Sequence, residues 1–409
     1  MKQITLFALV IFLFGSINSF AQFGNLLKKV ENKAKEKVDQ TEDSVVEKVM
    51  NPQTSNSNKT NQETGTAPDN KTTQDVNATA SNGKQQVNTK TYQNYDFVPG
   101  DKIIFEDDFA EDESGEFPSH WDLLSGQAQI STFQGEKIFA LTEGNYASVV
   151  PLMKTDTYLA IDTFTVEFDF FTQPGAYNSV GVRFWDPKNE EQNNSSTDAQ
   201  NAVFAGYECS AGGLSGTYPE NEDSFNNNKW HHVAIARKGR QLKVYEDQYR
   251  VLNVPVFKGN TYAIDFVGIG DQDKPIMLKN VRVALGGNFN DTKRIMTESR
   301  IITHGILFDV DKATIKPQSM GTINEIYKLL KENKGIKYEI DGHTDNTGNP
   351  KHNMELSQER ADAVKAQLVS MGIDSSRLTT KGFGDSKPIS DNSDPSGRAN
   401  NRRVEFVKL

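Results

Sequence analysis

Residues 51–94 are built almost entirely of Asn, Thr, Gln, Ser, Lys and Gly, with hardly a large apolar side chain among them. Such a segment has nothing to bury and cannot offset the entropy of fixing its backbone. The 409 residues are therefore separate bodies on a flexible tether and not one core. As a coil, the tether spans ~40 Å, and at full stretch ~150 Å.

Ahead of the tether, Lys2 is followed by an apolar run over 4–14 and then by Ser19-Phe20-Ala21, the small-x-small pattern of a cleavage site. Residues 1–21 are expected to be a secretory signal peptide, because eleven residues fall short of the ~30 Å of a bilayer core. No cysteine follows the run to take a lipid. Residues 22–50 place Leu27, Val30, Ala34, Val38, Val45 and Val49 at helical spacing among mixed charges. An amphipathic helix is expected here, its narrow stripe suited to self-association or a partner helix.

Residues 95–287 change to short apolar and β-branched runs separated by Gly, Asn and Pro. FTVEFDFF at 164–171 alternates Val166, Phe168 and Phe170 against Thr165, Glu167 and Asp169, a strand with one face in a core and the other in water. WHHVAIA at 230–236 and LKVYE at 242–246 flank KGRQ as a hairpin. Further strands are expected near 179–184, 202–207, 262–269 and 277–283, which gives an all-β sandwich. The strands are too short and too charged for a membrane barrel. Glu167 and Asp169 begin the Glu-x-Asp-x-x-Glu pattern of a jelly-roll glycosidase, but Thr172 stands at its last position. Glu106, Asp107 and Asp108 carry oxygen ligands suited to calcium, yet acidic strand starts are commonly just solvated, and no metal ligand or cofactor is assigned. The single Cys209 excludes an internal disulfide.

Residues 288–300 read as a short linker, and 301–409 as an α+β layer. An apolar run over 301–308 precedes a helix opened by Pro317, in which Ile323, Ile326, Tyr327 and Leu330 recur at helical spacing. A strand at 338–340, a helix capped by Ser357 and two strands near 378–381 and 403–407 complete a β-α-β-α-β-β order. In GHTDNTGNPKHNMELSQERA, at 342–361, Asp345 falls in a polar turn and Arg360 in the first turn of that helix. A carboxylate and a guanidinium fork brought to one pocket mouth suit a zwitterionic ligand.

Five blocks in order, FDVDKATIKPQS (308–319), GHTDNTG (342–348), NMELSQERADAV (353–364), GFGDSKPI (382–389) and GRANNRRVEF (397–406), resemble the OmpA-like peptidoglycan-binding domain. The resemblance implies a ligand, the diaminopimelate end of a peptidoglycan stem peptide, with its ammonium on Asp345 and its carboxylate on Arg360. It places Asp309, Thr347 and Asn353 around them; Arg398 and Arg402 are secondary candidates, suited either to glycan or peptide carboxylates or to packing against the helix and the last strand. FEDDF (105–109), WHHVAIA and KNVRVA (279–284) are similar to concanavalin-like or laminin-G-like jelly rolls, with a glycan or protein as the implied second partner.

Together with the resemblance, these features imply a multidomain, non-catalytic envelope protein of the periplasm, whose association with the outer membrane is implied by the resemblance. The alternative from the sheet region is a glycan-hydrolysing or glycan-binding module targeted to the wall. A net charge of −10 argues against nucleic acid.

Overall fold

The computed structural model describes residues 95–155, 158–159, 162–185, 201–259, 261–270, 272–287 and 299–409, with backbone alone for 143–146. The expected signal peptide, amphipathic helix, tether and most of the 288–300 linker lie outside the described residues. All described residues belong to one compact unit, Ser81–Leu409.

The first part is a sheet domain. Its strands are β1 (Lys102–Asp107), β2 (Trp121–Phe133), β3 (Glu136–Pro151), β4 (Thr163–Thr172), β5 (Ser179–Trp185) and β6 (Ala202–Gly206). They continue with β7 (Glu208–Ala211), β8 (Leu214–Thr217), β9 (Lys229–Lys238), β10 (Gln241–Glu246), β11 (Tyr249–Val254), β12 (Ala263–Gly268) and β13 (Ile276–Leu285). A single helical turn, α1 (Glu222–Phe225), precedes β9. The 13 strands form one hydrogen-bonded sheet in the order β11-β10-β9-β4-β13-β3-β12-β5-β6-β7-β8, with β1 also on β13 and β2 on β3. Right-handed twist curls so wide a sheet, and its two ends come together. A Cβ at Gly216 of β8 would lie 2.1 Å from the Val251 carbonyl of β11.

The curl encloses an aromatic core. Phe109, Trp121, Phe139, Phe168 and Phe266 meet at centroid separations of 5.3 to 6.0 Å, in tilted and edge-on arrangements that suit ring quadrupoles. The alternation of β4 places Val166, Phe168 and Phe170 in this core, as its period of two requires. Its other face is not solvated as expected, since Thr165 and Glu167 are also buried. The reason is tertiary. Residues 95–100 cross that face, Gly100 N–H donates to Thr165 Oγ1 at 3.0 Å, and Tyr95 and Phe97 pack on Ala234, Ala236 and Tyr245.

The C-terminal part has a four-stranded sheet ordered β14-β17-β15-β16. It is formed by β14 (Arg300–Thr303), β15 (Tyr338–Gly342), β16 (Leu378–Gly382) and β17 (Val404–Lys408). Helices α2 (Met320–Glu332) and α3 (Pro350–Ser370) supply Ile323, Ile326, Leu330, Val364 and Leu368 to a core shared with Tyr338, Ile340 and Phe406. A further helix, α4 (Pro395–Asn401), interrupts the expected pair of final strands. Its start is set by Asp394 before Pro395: the Asp394 side chain accepts from Gly397 N–H, and proline suits the first helical position.

Helix α4 docks on β1. The Asn400 amide receives the Ile103 N–H at 3.1 Å and donates to the Ile103 carbonyl at 2.8 Å, so it completes the strand's open edge as a neighbouring strand would. Ala399 is buried against Ile103 and Ala284. A Cβ at Gly321 of α2 would lie 1.7 Å from the Phe97 carbonyl, and only glycine permits that approach.

Candidate functional site

The segment between β15 and α3 is shaped by side-chain caps. Asp345 Oδ1 accepts the Thr347 N–H at 2.8 Å, the local bond that makes aspartate a turn residue. The Asn353 amide donates to the Thr347 carbonyl at 3.0 Å and to the Asp345 carbonyl at 3.4 Å, which closes the loop on the helix. Asn349 receives the N–H groups of Lys351 and His352. Residue 342 must be glycine, since a Cβ there would lie 2.1 Å from the Ser357 carbonyl.

These bonds correct the expected helix start. The cap is Asn349, with Pro350 at the first helical position, and Ser357 lies inside the helix, where its Oγ donates to the Met354 carbonyl and accepts the Gly384 N–H. The polar run Lys351-His352-Asn353 reads as loop by composition, but the proline supplies a preset φ and lacks the N–H a helix start would leave unpaired. Arg360 thus stands in the third turn, and the unpaired N–H groups of the helix start are not beside it.

Arg360 is half-buried. Its Nε donates to the Lys312 carbonyl at 3.0 Å, its Nη2 to the Asp309 carbonyl at 3.5 Å, and its guanidinium lies 5.0 Å from the Phe308 ring centroid. Among the described residues no carboxylate lies within ion-pair distance of it. The carbonyls come from the 308–315 turn, closed by a Phe308–Ile315 bridge. Asp309 therefore contributes its backbone to Arg360, and neighbouring Val310 is 89% exposed. Burial, and next the nearby Arg402 charge, push the Arg360 guanidinium below its ordinary value, while Asp311 and Asp345 oppose them.

Asp345 is buried and its partner is Arg402, whose Nη1 donates to Oδ2 at 2.6 Å. Burial raises the Asp345 carboxyl, but Arg402 and the Thr347 amide outweigh it and hold the group below the usual range. The other arm of Arg402 donates to Glu106 of β1. Arg398 is paired with Glu111 and reaches the Asn392 carbonyl. Of the residues singled out from sequence, Asp345, Thr347, Asn353 and Arg402 share one bonded cluster, Arg360 stands within its electrostatic reach, and Arg398 lies apart. Glu106 was missed in this role. Its acidic neighbourhood suggested calcium, but Asp107 turns to the opposite face, where it accepts the Trp121 Nε1–H at 3.0 Å, so the two carboxylates do not converge on one cation.

Asp341, His343 and Glu405 are buried, with ligand atoms within 4.8 Å of one another. Glu405 accepts from Arg403 at 2.7 Å and also from Arg300. Burial and the Arg403 charge push His343 down to about 4. With two guanidiniums already on its carboxylate, this cluster suits a structural charge network better than a cation.

Residues 307–402 match the OmpA family, and the chain carries an OmpA family domain at its C-terminal end. The chain is 43% identical over 100 residues to outer membrane porin F of Pseudomonas fluorescens, covering 24% of this chain and 31% of that protein. It is 39% identical over 102 residues to peptidoglycan-binding protein ArfA of Mycobacterium bovis, covering 25% and 31%. The chain thus spans about a third of the length of either relative. Among solved structures, the peptidoglycan-associated lipoprotein from Burkholderia pseudomallei matches at 26% identity over 29% of this chain and 98% of that one, with a TM-score of 0.26.

Proposed function

We propose that the chain is a non-catalytic cell-envelope protein that binds peptidoglycan through its C-terminal domain. Asp345 receives the ammonium and Arg360 the carboxylate of the diaminopimelate end of a stem peptide. Thr347, Asn353 and the Asp309 carbonyl hold the two in place. One observation carries this: Arg360 is a half-buried cation held by carbonyls and a ring face, so its charge is free to meet an anion, next to a carboxylate kept ionised. The OmpA family match and the identity to a relative named as peptidoglycan-binding support the same ligand class.

A charge-assisted contact contributes about 1.5–3 kcal/mol. Two such contacts give modest affinity for one stem peptide, and retention on a wall carrying many copies requires several contacts at once. The curled sheet is read as a concanavalin- or laminin-G-like jelly roll that presents a second surface to a glycan or protein. Residues 1–21 direct export to the periplasm, and residues 22–50 provide self-association. The wall-targeted hydrolase finds no support at Glu167 and Asp169: Glu167 is buried, and Asp169 is engaged by His232 at 2.7 Å and Asn280 at 2.6 Å.

The test is co-sedimentation of the full chain with diaminopimelate-type sacculi. Arg360→Ala and Asp345→Ala are each expected to lose most of the binding while the chain remains folded by circular dichroism. Near-normal sedimentation of both would overturn the proposal.

A further inference from the structure

Arg402 is the residue on which the two domains meet at the site. It belongs to the C-terminal domain and points one arm at Asp345, while the other is taken by Glu106 of the sheet domain. The opposite oxygen of Glu106 accepts Arg282 Nε of β13 at 3.0 Å, and Arg282 Nη1 reaches the His304 carbonyl at 3.4 Å. Guanidinium and carboxylate thus alternate from β13 through β1 to the aspartate of the candidate site.

The backbone of β1 is shaped for this. Ile103 pairs with Ala284 and Phe105 with Val283, so two residues of β1 oppose one step of β13. Such a bulge inserts one extra residue into the alternation. Phe105 consequently faces the aromatic core while Ile103 and Glu106 both face the C-terminal domain. Asn400 fixes Ile103 by its N–H and carbonyl, three residues from Glu106, and Arg398 holds Glu111 beyond it. The Glu106 side chain is only 15% exposed.

We propose that Glu106 is a positioning residue for ligand binding: it takes up Arg402 when an incoming ammonium claims Asp345, so the sheet domain sets the affinity of the C-terminal site. The inference rests on Asp345 being the ammonium acceptor. Asp345 is matched to the Arg402 guanidinium 2.6 Å away. An ammonium arriving there must displace that arm, and two cations on one carboxylate repel. Glu106 gives the displaced guanidinium a second carboxylate, already hydrogen-bonded to it, so Arg402 can release Asp345 without losing its partner. Without Glu106, Arg402 would be committed to Asp345 and would compete with the ligand. Glu106 is equipped for the task, because Arg282 and Arg402 outweigh the effect of its burial and hold it ionised, down to about 2.

Two substitutions then have opposite signs. Glu106→Gln keeps the shape of the side chain and removes the charge, and should weaken binding by about tenfold, the size of one charge-assisted hydrogen bond. Arg402→Gln removes the competitor and should tighten binding. In the double variant the Glu106 change should add nothing to the Arg402 change, because Glu106 acts through Arg402. A purely structural role for the pair would weaken binding in both single variants and more in the double.

The experiment is calorimetric titration of the full chain and the three variants with a muramyl tripeptide ending in meso-diaminopimelate, with melting temperatures taken in parallel. Opposite signs for the single variants, and a double variant equal to Arg402→Gln, would establish the coupling. Glu106→Gln binding as well as or better than wild type would overturn it, as would a double variant no tighter than Glu106→Gln. Should Glu106→Gln fail to fold, the partly exposed Arg402→Gln decides by itself, and weakened binding there would overturn the proposal. No binding by wild type would bring down the ligand assignment first and this inference with it, whereas wild-type binding indifferent to Glu106 would leave the assignment standing.

Discussion

The sheet domain and the C-terminal domain both bury charge, but they leave it in different conditions. In the sheet domain the acidic face of β4 is closed on itself: His232 lies 2.7 Å from Asp169 and 3.5 Å from Glu167. Burial would lower His232, yet its bonds to the two carboxylates push it up to about 9. In the C-terminal domain Arg360 has carbonyls for partners, and Asp345 shares a partner that another carboxylate also holds. A closed network stabilises a fold and has nothing left to offer. A guanidinium held by dipoles alone keeps its charge available, which separates a candidate binding group from a structural one.

The largest expected effects ask whether the domains are energetically one body. Phe168→Ala in the sheet core and Phe406→Ala in the C-terminal core should each cost about 3–5 kcal/mol. If the α4–β1 and Gly321–Phe97 contacts couple the domains, both lower the same calorimetric transition. Two independently shifted transitions would show that the interface is weak.

The next effect tests closed against open charge. Asp169→Asn should destabilise the sheet domain by about 3 kcal/mol, because it leaves His232 and Glu167 buried with less compensation, and should not change sacculus binding. Arg360→Ala should do the reverse, with stability within ~1 kcal/mol and binding lost. Urea melts beside sedimentation would reveal either pattern breaking.

Acid and base should separate the domains further. Burial pushes Glu246 of the sheet domain up to about 8 from an ordinary 4.5. Its folded form keeps a proton that the unfolded chain releases, so this contribution is complete below pH 4.5 and is lost as pH rises through about 8. His232 acts in the same direction, lost as pH rises through about 9. Burial instead lowers His343 and His304 of the C-terminal domain to about 4 from 6.5. Their contribution is present above pH 6.5 and is lost as pH falls through about 4. Glu246→Gln should therefore raise the melting temperature more at pH 8 than at pH 5, and His343→Gln should flatten the acid limb. The smallest effect belongs to the exposed Lys351–Glu355 pair, 3.9 Å apart, where Glu355→Gln should change stability by less than ~0.5 kcal/mol.

Much of this was legible along the chain. The period of two in 164–171 fixed which residues of β4 enter the core, and the apolar spacing of Ile323, Ile326 and Leu330 placed the face of α2. Asp345 stood out as a turn aspartate, and its bond to the Thr347 amide is local. Less legible were features that rest on one or two residues against the composition around them. The helix start at Asn349-Pro350 was hidden by a polar first turn, and α4 by its shortness.

Sequence by itself determined what short-range chemistry can decide: the strand and helix periods, the turn at Asp345 and the family of the C-terminal domain. Tertiary structure alone decided the partners of the charges. Arg402 lies 57 positions from Asp345 and 296 from Glu106, and Thr165 of β4 is covered by the segment that crosses it. Charge pairing depends on distance in space and on the exclusion of water, and neither is encoded by spacing along the chain.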